Sequence, residues 1–271
     1  MLIGVPLSCS KTQYFVNQAY IDYIHSAGFQ AIAINPNSDI TTMANICDGL
    51  ILPGGIDIDP VYYEMDNYDS YAVDPEKDAF ERAVLHEFIG QGKPIFGICR
   101  GLQLVAWELM LHVNVGNALY FVQHIEAHSL AHDLNLGRGV RSHNVMANTN
   151  VLYGKSESRK AVKIYVNSMH HQCLLYDTAK DISRGDLSEV NFKVLATTKN
   201  GMKKLGKDFS SCVVVEAFCM NWRASKILAV QWHPEELVDN HLLSNFFRPQ
   251  ETKVDKSKKI KDSIKEKKAD G

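Results

Sequence analysis

The sequence predicts an α/β protein with a mainly parallel central sheet flanked by helices, and extra antiparallel strands in its second half. Three observations predict it. Short apolar runs alternate with longer amphipathic stretches through the first half, which is the pattern of βαβ units. The second half is a series of strand-like runs separated by turn residues. With 271 residues, 45% hydrophobic and 22% charged, the chain is long enough to bury a core without disulfide or metal staples.

In order along the chain, Leu2–Pro6, Ala31–Ile34, Gly49–Leu52 and Pro94–Ile98 read as buried strands rich in Ile, Val and Leu. Between them Asn17–Ala27, Ile40–Ile46 and Pro75–Gly90 read as helices. Asp74 before Pro75 supplies an acidic N-cap with proline in the first turn, and Gly90 and Gly92 supply the stop. Val140–Ala147, Val162–Val166, Phe192–Thr198, Cys212–Phe218 and Ile227–Gln231 read as added or antiparallel strands, and Pro234–Phe247 as a closing helix. Residues 1–247 are expected to form one domain. Residues 248–271 form a tail low in apolar residues, expected to be disordered or a solvated helix around Val254–Ile264.

The formal net charge is −2, with eight lysines against five acidic residues from Pro249 onward. An acidic body with a lysine-rich tail presents no global basic field for nucleic acid. No apolar run approaches the roughly 18 to 20 residues that span a bilayer. Met1 runs straight into Leu-Ile-Gly-Val, which does not read as a secretory leader. The six cysteines show neither a CxxC pair nor zinc-like spacing. The expectation is reduced thiols and a cytoplasmic location.

One cysteine has informative neighbours. In Gly97-Ile98-Cys99-Arg100-Gly101 a buried strand ends at Cys99, and helix-like Leu102–Trp107 follows at once. This is the G-x-nucleophile-x-G elbow, whose glycines let strand and helix approach closely. The turn presents the sulfur at the carboxyl edge of the sheet, where open α/β sheets place their sites. The helix N-terminus there favours a thiolate.

A nucleophilic thiol needs a base. Ile227–Trp232 is an apolar run that ends in His233-Pro234-Glu235. A histidine at a strand end can reach a thiol on a neighbouring strand, and Glu235 can turn back to hold the other ring nitrogen. Asp48–Leu52 leads into Pro53-Gly54-Gly55, a loop whose backbone N–H groups can face a developing negative charge. Either glycine could serve with the N–H of Arg100; Gly55 is taken as the oxyanion donor.

Together these segments resemble the class I glutamine amidotransferase-like superfamily and, more narrowly, its γ-glutamyl hydrolase branch, peptidase family C26, which includes γ-glutamyl-γ-aminobutyrate hydrolase. The resemblance spans residues 1 to about 247. It rests on Pro53–Asp57, Gly97–Gln103, Val166–Gln172 and Gln231–Glu235, with further agreement at Asp74–Asp78 and Val215–Ala217. It implies an α/β core of about seven strands and a Cys99, His233, Glu235 triad. It also implies Gly54, Gln103, His170 and Glu216 near the substrate. The activity implied is hydrolysis of a γ-glutamyl amide through a glutamyl thioester.

The expected partner is a small γ-glutamyl substrate, with no nucleic acid or membrane; a homodimer or a synthase partner is left open. His124, His128, His132 and His143 read as loop and surface residues, so no metal and no cofactor is expected. Three departures touch the leaving-group side: Gly116–Gln123 deviates from Gly-Gly-x-Leu-x-Gln-Asp, Lys199–Ser211 reads as an insertion, and Trp232 replaces a frequent Phe. No GxxxxGK[ST] loop occurs. The alternatives are a glutaminase subunit feeding ammonia to a separate synthase, a non-catalytic binding protein on the same fold, and a redox-sensing Cys99.

Overall fold

The computed structural model describes residues 1–115, 118–125, 137–154, 161–180, 190–199 and 211–248. The tail from 249 onward, residues 200–210 of the insertion, 116–117, His128 and His132 lie outside the described residues.

The first half holds β1 (Leu2–Pro6), the small hairpin β2 (Ser8–Cys9) and β3 (Tyr14–Phe15), α1 (Gln18–Ser26), β4 (Gln30–Ile34), α2 (Ile40–Ile46), β5 (Gly49–Leu52), α3 (Pro75–Gly90), β6 (Ile95–Ile98) and α4 (Arg100–His112). Then come β7 (Leu119–Val122), β8 (His143–Ala147), α5 (Thr149–Tyr153), β9 (Val162–Val166), β10 (Cys173–Asp177), β11 (Lys193–Lys199), β12 (Cys212–Trp222), β13 (Ser225–Val230) and α6 (Asn240–Phe247).

The main sheet runs β4-β1-β5-β6-β13-β12-β11-β8-β9. Its first five strands are parallel and its later ones antiparallel, the mainly parallel sheet the sequence predicts, with one correction: β13, expected among the added or antiparallel strands, lies parallel beside β6 and closes the parallel half. Period-two alternation divides the apolar side chains between two layers. Leu50, Leu52, Ile95, Ile227 and Ala229 pack toward α2, α3 and α4, whereas Ile51, Phe96, Leu228 and Val230 pack toward α1, α5 and α6.

The long strand β12 changes partners midway. Ala217 pairs with Val230 at the end of β13, while Val214 pairs with Leu175 of β10, which in turn pairs with β7. The β10–β7 ribbon therefore extends the sheet beyond the carboxyl ends of β6 and β13, beside the functional loops.

The helix caps follow from their residues. Asn17, Asp39 and Asp74 accept backbone N–H bonds at the starts of α1, α2 and α3. The closing helix begins later than Pro234: residues 234–238 form turns, Val238 takes φ +53°, and the helix starts only at Asn240. A β-branched residue at positive φ interrupts helical geometry. The ribbon strands β7 and β10 and the short helix α5 were not predicted, and β8 begins at His143 rather than Val140.

Candidate active site

Strand β6 ends at Ile98, and Cys99 turns the chain into α4 with φ +51° and ψ −104°. Such a conformation is uncommon for a residue with a Cβ and survives only where surroundings fix it. Here the Cys99 N–H donates to the Val230 carbonyl at 2.8 Å, and its carbonyl accepts from the Gln103 N–H at 3.2 Å. The flanking glycines permit the turn. A Cβ on Gly101 would stand 2.3 Å from the Leu52 carbonyl oxygen, and one on Gly97 would stand 2.9 Å from the Gly101 backbone.

His233 follows β13 by three residues and is 4% exposed. Asn167 holds its backbone from both sides: Oδ1 accepts the His233 N–H and Nδ2 donates to its carbonyl, each at 3.0 Å. The ring is set by Glu235, whose Oε1 lies 2.7 Å from Nδ1. Burial pulls the imidazole pKa down, but the charges of Glu235 and Cys99 outweigh it and hold the group at about 10. That shift favours the imidazolium form at neutral pH. The Nε2 of His233 is buried, and a hydrogen bond with the Cys99 side chain also raises the ring's pKa.

Gly54 brings the third segment in. A Cβ at Gly54 would lie 2.8 Å from Cε1 of His233 and 3.4 Å from Cβ of Cys99, so the loop after β5 packs against both. The Gly54 N–H is already used, donating to the Tyr20 hydroxyl at 2.8 Å. Gly55 lines the cavity beside it. Arg100 opens α4, where an N–H has no intrahelical partner. The Arg100 side chain points elsewhere, into buried ion pairs with Asp78 and Glu81, and Lys77 also pairs with Glu81.

Cys99, His233, Gly54, Gly55, Tyr20 and Lys77 line a cavity of about 400 Å³. A larger one of about 500 Å³, walled by Tyr63, Trp107 and Phe121, shares none of these residues. The smaller cavity carries the Cys99 thiol and the His233 ring, and that chemistry rather than size marks it as the candidate site.

Gln103, His170 and Glu216, expected near the substrate, are buried and do not line this cavity. The Gln103 amide donates to the Gln172 carbonyl at 3.2 Å and to Oε1 of Gln231 at 3.4 Å. His170 is buried, with Nδ1 2.8 Å from the Gln172 carbonyl. Glu216 is fully buried on β12, 2.8 Å from Nε2 of His143. The expectation of a surface or loop His143 is thus corrected: it stands on β8, largely covered, because a buried carboxylate needs a partner.

Three residues near the site were given no role by the sequence. Asn167 and Gln231 lie inside matching motifs, and Gln231 Nε2 reaches Cys99 Sγ at 3.5 Å. Tyr20 carried no signal, being one apolar position among several on α1. Burial first, then the charges of Glu235 and Cys99, keep its hydroxyl protonated.

A peptidase C26 family model matches residues 6–235. The chain belongs to the peptidase C26 family. Among similar proteins, the glutamine amidotransferase-like protein YvdE of Lactococcus lactis subsp. lactis (strain IL1403) is 27% identical over 234 residues, covering 85% of this chain and 84% of that one. Protein NtpR of Enterococcus hirae is 27% identical over 241 residues, covering 82% and 81%. The glutaminase domain of Trypanosoma brucei CTPS, solved with bound acivicin, superposes with a TM-score of 0.54 at 15% identity, covering 90% and 91%, and shares the fold. Membership of peptidase C26 supports a hydrolase- or glutaminase-type enzyme. No helix among the described residues is long and apolar enough to cross a membrane.

Proposed function

We propose that this peptidase C26 protein is a cysteine hydrolase that cleaves the γ-glutamyl amide bond of a small compound, releasing glutamate and an amine. The observation that carries the reading is the buried His233, joined to Glu235 at 2.7 Å, beside Cys99 on a positive-φ elbow. A nucleophile, a base and an orienting carboxylate are what covalent acyl transfer requires.

In this reading the Cys99 thiolate attacks the γ-carbonyl carbon, and the N–H groups of Gly55 and Arg100 hold the oxyanion. The His233 imidazolium gives its proton to the departing amine nitrogen as the C–N bond breaks, leaving a glutamyl thioester. Water then attacks, with the neutral imidazole taking its proton, and the C–S bond breaks to free glutamate and the thiolate. Gly54 would touch the glutamyl group directly. Gln103, His170 and Glu216 would shape its pocket from buried positions.

The test is glutamate release from a panel of γ-glutamyl amides and glutamine, with Cys99→Ala alongside. Turnover of a γ-glutamyl amide, lost in Cys99→Ala, with a one-glutamyl mass increase on the trapped protein, is the expected result. Cleavage of glutamine alone, rising when cell extract is added, would favour an ammonia-supplying glutaminase instead.

A further inference from the structure

We propose that Asp69, His124 and His171 form a binding site for one divalent transition-metal ion of the Zn²⁺ type. The three come from the loop after β5, the residues just after β7 and the turn before β10, and their ligand atoms lie within 4.8 Å of one another.

The second observation is the state of the imidazole nitrogens. Nδ1 of His171 and Nδ1 of His124 are both buried and without hydrogen-bond partners among the described residues. Nδ1 of His124 approaches Oδ2 of Asp69 to 3.0 Å without the alignment of a hydrogen bond. Buried ring nitrogens usually find a partner; two histidines of one cluster that each keep such a nitrogen without a hydrogen bond have atoms available as ligands.

His171 is oriented as metal-bound histidines are. Its Nε2 lies 2.9 Å from Oδ2 of Asp57, the contact that the outer nitrogen makes in carboxylate–histidine–metal arrangements, where the other nitrogen is the ligand. Tyr71 stacks on the ring at 4.3 Å and 10°, and the Tyr71 N–H donates to the same Asp57 oxygen at 3.0 Å.

The backbone around the third ligand is braced by residues adjacent to the two histidines. Gln123 Oε1 accepts the Asp69 N–H at 3.1 Å, and Gln172 Nε2 donates to the Ser70 hydroxyl at 2.7 Å. The site is therefore assembled in advance.

Two neutral imidazoles and one carboxylate suit zinc-type ions better than Mg²⁺ or Ca²⁺, which prefer all-oxygen shells. Tetrahedral bonds of about 2.0–2.1 Å place ligand atoms about 3.3 Å apart, so small side-chain rotations close the set. Partial exposure of Asp69 and His124 leaves a fourth position for water. Asp57 lies two residues beyond Gly55, so the ion would fasten the loop that carries the glycines to the β10–β7 ribbon.

The competing cluster is His86, Glu108 and His112. There the fully buried Glu108 already pairs with Arg82 and with His86 at 2.6 Å, and the guanidinium opposes a further cation.

The test uses the tag-free full chain dialysed against micromolar Zn²⁺, with bound metal counted by mass spectrometry and thermal unfolding followed with and without the ion. About one equivalent is expected, with a midpoint rise of about 5 °C or more at a hundredfold excess over Kd. His124→Ala, a half-exposed position that should still fold, and His171→Ala should each lose the equivalent and the rise. His86→Ala/His112→Ala should keep both. A wild type that retains no zinc, or one whose zinc survives His124→Ala and leaves with the His86 and His112 pair, would overturn the assignment.

Discussion

Glu235 Oε1 lies 2.7 Å from Nδ1 of His233, across a turn of only two residues that Pro234 stiffens. Both side chains are almost completely covered, so the carboxylate fixes the tautomer and supports the imidazolium at once. Glu235→Gln keeps the shape but removes the charge. Its expected effect is a fall in kcat of about 10²- to 10⁴-fold on the best γ-glutamyl amide, with little change in KM. A variant within threefold of wild type would remove Glu235 from the mechanism.

The same pair makes stability depend on pH. His233 is raised from about 6.5 in an unfolded chain to about 10 in the folded one, so the folded state binds the proton more tightly. That contribution is complete below about pH 6.5 and is lost as pH rises through about 10. Urea unfolding of wild type and His233→Gln at several pH values reads it directly. The stability gap should narrow between pH 7 and pH 10, and a gap that widens contradicts the assignment.

Much of this was legible in the sequence because it is local. The elbow at Gly97–Gly101, the run into His233-Pro234-Glu235 and the Pro53-Gly54-Gly55 loop each announce themselves within a few residues. Four of the five parallel strands were legible for the same reason, whereas the direction of β13 depends on its pairing with β6, more than a hundred residues earlier. What was illegible arises from tertiary contact. Nothing in Gln18–Ser26 says that Tyr20 will meet Gly54, and nothing near His124 says that Asp69 lies 55 positions earlier and beside it. The ribbon β10–β7 was missed because its strands pair across some fifty residues. The late start of α6 depends on one positive-φ valine that no propensity marks.

Tyr20 offers a separable prediction. Its hydroxyl accepts the Gly54 N–H at 2.8 Å, in a place where water has little access. Tyr20→Phe would leave that N–H unpaired, and the expected loss of stability is about 1–3 kcal/mol in urea unfolding. The loop would also be freed to shift against Cys99, so kcat should fall by more than KM rises. Unchanged stability together with unchanged kcat would show the bond to be dispensable.

Buried charge at the base of the site gives another. Arg100 is 1% exposed and pairs with Asp78 and Glu81, and Glu81 also holds Lys77. Removing one acid leaves a cation uncompensated in a poorly solvated place. Glu81→Ala should cost about 3–5 kcal/mol, measured by urea unfolding, whereas the exposed Glu76→Ala at the start of α3 should cost well under 1 kcal/mol. Equal losses for the two would mean that the buried ion pairs contribute nothing beyond a surface charge.

The elbow itself is tested by paired glycine substitutions. At Gly101 an added Cβ meets a backbone oxygen at 2.3 Å, which no side-chain rotation relieves, so strand β5 and helix α4 must separate. Gly101→Ala should lose about 2–3 kcal/mol or more, and kcat should fall with it because Cys99 rides on the same turn. Gly90, at the end of α3, has nothing within 4 Å of an added Cβ and no positive φ. Gly90→Ala should therefore be neutral or stabilising by up to about 1 kcal/mol. The two variants have the same added methyl group, so a Gly101→Ala protein as stable and active as Gly90→Ala would mean that close approach at the elbow is not what holds Cys99 in place.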